Sequence, residues 1–148
     1  MKNPDRRETP FSIEARVYYE DTDAAGVVYY ANYLRFFERC RTEWLRAIGH
    51  DQSELAREHN LAFVVRRVTA EYRRPARLDD RLRIELVASI EGRARLRCEQ
   101  RALRVDADGK GELLVEASVE LACISVVDFR PVPIPAWLSD QLPRAHSR

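Results

Sequence analysis

The sequence predicts an α+β fold in which one long amphipathic helix packs on a single face of a five-stranded antiparallel sheet. Three observations carry the expectation: an alternating run near the N-terminus, a segment of three- and four-residue apolar spacing just after it, and four extended runs that fill most of the remaining chain. In the first run Ile13, Ala15, Val17 and Tyr19 fall on one side of Ser12 to Tyr19, and Glu14, Arg16 and Tyr18 on the other, which is the period of a strand. The loop EDTDAAGVV follows. Tyr33, Phe36, Phe37, Cys40, Trp44, Leu45 and Ile48 then recur at helical spacing, with Arg35, Glu38, Arg39, Arg41, Thr42, Glu43 and Arg46 between them, so a helix of about four to five turns is expected. Gly49 is its natural terminator.

A short second helix is expected from Asp51 to about Glu58, with Asp51 or Ser53 as N-cap. Leu61 to Arg73, Leu82 to Ile90, Leu96 to Val105 and Leu113 to Val126 read as strands. Pro75, Leu78-Asp79-Asp80, Glu91-Gly92 and Asp106 to Gly111 supply the turns between them. In the tail RPVPIPAWL, Pro131, Pro133 and Pro135 remove ladder donors, so this segment should leave the sheet as an extended strap. Exposed strand edges and the apolar helix predict that two subunits join edge to edge, because a long unpaired edge is an aggregation hazard that a dimer removes.

The 148 residues suit one domain, with a polar leader over about residues 1–10 and a proline-containing tail from about residue 130. Hydrophobic residues make up 45% and charged residues 33% of the chain, which excludes disordered and low-complexity classes. Twenty-five Lys and Arg against 24 Asp and Glu leave a net charge of +1, so no global field draws the protein to nucleic acid and any anion site must be local. Cys40, Cys98 and Cys123 are odd in number and widely spaced; they imply neither a zinc site nor a disulfide framework and read as buried hydrophobes in a reducing compartment. The leader lacks the apolar run of a signal peptide, and no stretch of 18 apolar residues offers a membrane span. A cytoplasmic protein without an integral membrane segment is expected.

The densest chemical signal lies between the first strand and the long helix, where Glu20, Asp21 and Asp23 occur within four residues. A carboxylate beside a helix N-terminus sits near unpaired backbone N–H groups, whose partial positive charge also polarises a bound carbonyl. One group can then act as base or nucleophile while a backbone N–H receives an oxyanion. By spacing alone the commoner reading is that the same carboxylates solvate a turn and cap the helix.

The stretch from Val17 to Glu43, including EDTDAAGVVYYANY, closely resembles the signature of the 4-hydroxybenzoyl-CoA thioesterase family, and its nearest branch looks like the Tol-Pal-associated acyl-CoA thioesterases of the YbgC type. A second block, Ala62 to Arg67 and Glu71 to Asp80, also matches that branch. The resemblance implies a hotdog fold, with the sheet wrapped around the long helix, and homodimers or homotetramers with sites at subunit interfaces. It further implies an acyl-CoA substrate, with acyl carrier protein as an alternative carrier, and no metal or redox cofactor. The family's catalytic aspartate falls on Asp23, with Asp21 second, and its oxyanion donor falls on the backbone N–H of Tyr30. Gly26 allows the close turn that aims the helix. Many members of the branch carry His where this chain has Tyr30; the chain departs from them there, and a base role for that side chain is not carried over.

Other residues fit substrate contact more loosely. Tyr19 and Tyr33 flank the site and would line an acyl pocket unless they are core. Asn32 would cap the helix or fix the loop bearing Asp23. Arg93, Arg95 and Arg97 alternate and form the best local patch for the phosphates of CoA, although charged outward faces are ordinary in antiparallel sheets. Arg66, Arg67, Arg73 and Arg74 make a second basic region. Glu38 should face solvent or pair with Arg35 or Arg41. His50, His59 and His146 are given no catalytic role, and the lack of a His near the helix start weighs against the main enzymatic alternative, a hotdog hydratase or dehydratase. A non-catalytic binding protein of the Tol-Pal machinery is the alternative from a different class.

Overall fold

The computed structural model describes residues 9–145; His146 and most of the polar leader lie outside them. Strands β1 (Phe11–Arg16), β2 (Leu61–Tyr72), β3 (Arg81–Glu91), β4 (Arg95–Val105) and β5 (Gly111–Ser125) form one sheet in the order β1-β3-β4-β5-β2, every neighbouring pair antiparallel. Helix α1 (Asn32–Ala47) lies against its inner face, and Tyr33, Phe36, Phe37, Cys40 and Leu45 share one core with Leu82, Ile84, Leu86, Cys98, Val119 and Leu121 of the strands. The expected architecture of helix and wrapped sheet is the one observed. Period-two burial along β3, β4 and β5 keeps apolar side chains inward, while arginine and glutamate alternate outward.

The helix limits follow local chemistry. Gly49, at φ +101, donates to the Arg46 carbonyl at 2.9 Å and turns the chain out of α1. Asp51 caps α2 (Gln52–His59) by accepting the Glu54 N–H at 2.7 Å, and Asn60, at φ 55, closes it.

Two expectations need correction. The first strand ends at Arg16, and Tyr19–Asp21 form a 3-10 turn. The Asp21 side chain accepts the Tyr18 N–H at 2.8 Å, so a local side-chain acceptor replaces the ladder. Tyr19 therefore does not continue the inward row that Val17 completes, and stands 83% exposed. The tail is not a simple strap. Val132 and Ile134 donate to the carbonyls of Cys123 and Arg93, after which Ala136–Ser139 form helix α3, with Pro135 at its start and Leu138 buried as the anchor.

Candidate functional site

The loop that carries the acidic cluster is a small hairpin. Asp23 N–H donates to the Val27 carbonyl at 2.9 Å, Gly26 N–H donates to the Asp23 carbonyl at 3.0 Å, and Thr22 bridges Val28. Gly26 sits at φ +79, a conformation that favours glycine. The Ala25 N–H bonds Asp23 Oδ1 at 2.8 Å, so the carboxylate is held by its own turn and stays exposed at the tip. Val28 N–H donates to the Ala76 carbonyl at 2.8 Å and thereby fastens the loop to the segment that precedes β3.

Asp21 performs the opposite service from inside. It is only 7% exposed, and its carboxylate accepts from Tyr18 N–H and from Asn32 Nδ2 at 2.9 Å, while its carbonyl accepts from Tyr29 N–H at 3.0 Å. Asn32 is thus a buried pin between the loop and the first turn of α1 and makes no cap; Ala31 occupies the N-cap position without a side-chain bond. The capping role expected for Asn32 yields to the alternative, fixing the loop.

At the start of α1 the N–H groups of Tyr30 and Ala31 have no acceptor among the described residues. Ala31 is the N-cap of α1 and Tyr30 the residue before it, so these two N–H groups stand at the positive end of the helix. The Tyr30 carbonyl is held from outside by the Tyr72 hydroxyl at 3.1 Å. The Tyr29 and Tyr30 rings lie 4.8 Å apart, and Tyr30 meets Tyr72 edge-on at 6.1 Å. The phenol of Tyr29 is pushed above its usual range, first by the hydrogen bond with Tyr30, so it is neutral at physiological pH and unsuited to act as a base.

These elements surround a cleft of about 300 Å³ lined by Glu20, Asp21, Thr22, Asp23, Tyr29, Ala31, Asn32 and Arg35. Asp21, Asp23 and Asn32 are brought together as the sequence suggested, and Tyr30 adjoins through both chain neighbours. Tyr19, Gly26, Tyr30, Arg93 and Arg95 are not among the lining residues. Arg93 lies in the turn before β4, and Arg95 reaches Glu120 at 3.1 Å, with Arg66 and Arg67 each 4.0 Å from the same carboxylate. Arg97 pairs with Glu99 at 2.8 Å and Glu91 at 3.7 Å, so much of that basic run is internally neutralised. Tyr33 is core, 2% exposed, its hydroxyl accepting the Ala76 N–H at 3.0 Å. His50 and His59 both stack on Trp137, at 4.9 and 4.8 Å, and neither lines the cleft. Thr22, Tyr29, Ala31 and Arg35 are lining residues missed from sequence; of these Arg35 lies one helical turn after Asn32, a spacing that could have placed it there.

The three cysteines are buried thiols without disulfides. Burial pushes Cys40 and Cys98 up to about 12 and Cys123 to about 11, which makes them inert packing groups. No helix among the described residues is long and apolar enough to cross a membrane.

Comparison with known proteins follows the same outline. The model of the Thioesterase-like superfamily matches residues 17–142. The acyl-CoA thioesterase YbgC of Haemophilus influenzae is 45% identical over 125 residues, covering 84% of this chain and 88% of that protein. Among solved structures, a probable thioesterase from Bartonella henselae is 40% identical with a TM-score of 0.76, covering 84% of this chain and 98% of the other. A 4-hydroxybenzoyl-CoA thioesterase mutant bound to 4-hydroxybenzoyl-CoA superposes with a TM-score of 0.82 at 19% identity, over 90% of this chain and 98% of that one. This last likeness speaks for the hotdog fold alone.

Proposed function

Because the chain belongs to the Thioesterase-like superfamily, we propose that it hydrolyses acyl-CoA thioesters, with Asp23 as general base or nucleophile and the Tyr30 N–H as oxyanion donor. The observation that carries this reading is one cleft lined by an exposed, turn-locked Asp23 carboxylate and by Tyr29 and Ala31, the two chain neighbours of Tyr30, with the N–H groups of Tyr30 and Ala31 lacking acceptors among the described residues. In the base route, Asp23 takes a proton from water as its oxygen adds to the thioester carbon. The carbonyl oxygen, now anionic, is stabilised by the Tyr30 N–H. Collapse of the adduct breaks the C–S bond, and the proton held by Asp23 leaves with the thiolate as free thiol. In the nucleophile route Asp23 itself attacks the thioester carbon, the C–S bond breaks to expel the thiolate, and water then hydrolyses the mixed anhydride to the free acid and the regenerated Asp23 carboxylate, one of the protons released going to the thiolate. A single well-placed oxyanion donor contributes about 2.7–4 kcal/mol to such a step.

Asp21 and Asn32 act as positioning residues, and Gly26 shapes the turn that presents Asp23. Tyr19, Arg93 and Arg95 are left with outer contacts to the substrate, and Arg95 is the one of the three already paired, with Glu120. Asp23→Asn should lower turnover at least about 100-fold with the fold intact, since the shape survives and the base or nucleophile does not. Near-wild-type release of free CoA by that variant would overturn the assignment. A protein of purely binding function in the Tol-Pal machinery would release no CoA even before mutation.

One domain is taken to act as a homodimer or homotetramer. Strand β2 supports this, for it is a 12-residue edge with Val64, Val65, Val68 and Tyr72 partly exposed, which a second copy would cover. Three unpaired buried thiols fit a cytoplasmic setting. Acyl carrier protein is the alternative carrier, to be separated from CoA by comparing both as substrates.

A further inference from the structure

The loop that presents Asp23 is held on both sides by one short segment, residues 75–80. Where the chain enters the loop, Asp79 N–H donates to the Val17 carbonyl and Val17 N–H donates to the Asp80 carbonyl, each at 2.9 Å. Where it leaves, Val28 N–H donates to the Ala76 carbonyl at 2.8 Å and Val27 bridges Arg77. Val17, Val28 and Ala76 are buried, so these bonds are shielded from water. The segment is a cradle, and a change in its shape moves both ends of the loop.

One side chain closes this cradle. Arg104, next to the end of β4, donates through Nη2 to the Pro75 carbonyl at 2.6 Å and through Nε to Asp80 Oδ2 at 2.8 Å, so it spans the segment from its first residue to its last. The same Asp80 oxygen accepts the Arg77 N–H at 2.8 Å, which ties the middle of the segment to the pin. A guanidinium holds its donors in a rigid planar fork and suits two acceptors at a fixed separation. Arg104 does not line the Asp23 cleft. Strand β5 separates β4 from the β2 edge that a second copy would cover, so the pin lies apart from that contact.

We infer that Arg104 is a positioning residue for hydrolysis: by fixing Pro75 against Asp80 it sets where the loop holds the Asp23 carboxylate in the cleft. The inference rests on the catalytic reading of Asp23. The test pairs steady-state hydrolysis of hexanoyl-CoA and benzoyl-CoA with amide hydrogen exchange on the full chain. Arg104→Gln should lose about tenfold or more in kcat, since a displacement of about 1 Å at a reacting group can cost about 100-fold. KM should change by less than about threefold, because no substrate contact is removed. The Val28 amide should exchange at least about tenfold faster, while amides of the β2–β5 ladder keep their rates. Arg104→Lys should recover part of kcat, because an ammonium still reaches one of the two acceptors. Glu112→Gln removes only the weaker partner of Arg104, at 3.6 Å, and should leave turnover unchanged.

Thermal melts establish that each variant is folded; should Arg104→Gln fail to fold, Arg104→Lys and Asp80→Asn carry the test. Unchanged kcat in folded Arg104→Gln would overturn the inference. So would a rise in KM alone, which would make Arg104 a substrate contact, or a loss of kcat with exchange raised equally throughout the sheet, which would make the effect one of global stability. Turnover that survives Asp23→Asn would sink the catalytic reading and this inference with it; turnover lost in Asp23→Asn but kept in Arg104→Gln would sink the role of Arg104 alone.

Discussion

Replacing Asn32 with leucine tests how the acidic loop is held. The two side chains are of similar size, so the packing of α1 is nearly conserved, but the donor to Asp21 Oδ1 at 2.9 Å disappears. A hydrogen bond to a charged group contributes about 1.5–3 kcal/mol. The full penalty of an unpaired buried charge, about 3–5 kcal/mol, is not expected, because Asp21 keeps the Tyr18 N–H at 2.8 Å. At about 2–4 °C per kcal/mol for a chain of this size, the melting midpoint should fall by roughly 3–12 °C. Activity should fall as well, since the pin sets the loop against α1 and a shift of about 1 Å at a reacting group can cost about 100-fold in rate. Calorimetric melts and CoA-release assays would be run on Asn32→Leu, Asp21→Asn and the double variant. If Asn32 acts through Asp21, the double variant will be less impaired than the sum of the singles. Strict additivity, or an unchanged melt for Asn32→Leu, would refute the reasoning.

Tyr30→Phe should retain most activity, because the amide and ring survive, whereas Tyr30→Pro should lose about 100-fold or more in kcat with the loss of an oxyanion donor; a large kcat drop in Tyr30→Phe would implicate the hydroxyl instead. Glu120 is held below its ordinary value of 4.5, first by the hydrogen bond from Arg95 and further by Arg66 and Arg67, against an opposing effect of burial. A lowered folded-state value means that its stabilisation is present above about pH 4.5 and is lost as pH falls through the lower value. Denaturation as a function of pH should therefore show a smaller acid loss in Glu120→Gln, alongside lower stability at pH 7, where three arginines would face one another. All three thiols should resist a thiol-reactive chromophore at pH 8 in the native protein and react fully in guanidinium, since burial keeps them protonated.

Residue order alone was enough for the elements whose signal is local. The apolar spacing from Tyr33 to Ile48 needs only a surface to bury against, and any sheet supplies one. Asp51 caps α2 through a bond that spans three residues, so it too was legible. The acidic loop was found in the same way, because a strand, a turn and a helix start lie consecutively along the chain, and the family signature placed Asp23 within it. What only the tertiary structure decided are matters of partner. Tyr19 read as core by alternation, yet Asp21 diverts the backbone at Tyr18 and leaves that ring in solvent. Asn32 read as a cap, yet its amide finds Asp21 eleven residues earlier. Arg95 read as a grip for phosphate, yet Glu120, distant in sequence and close across the ladder, takes it. A periodic pattern reports which face a side chain occupies. The acceptor that waits there is set by strand order and register, which bring together residues that no local spacing relates.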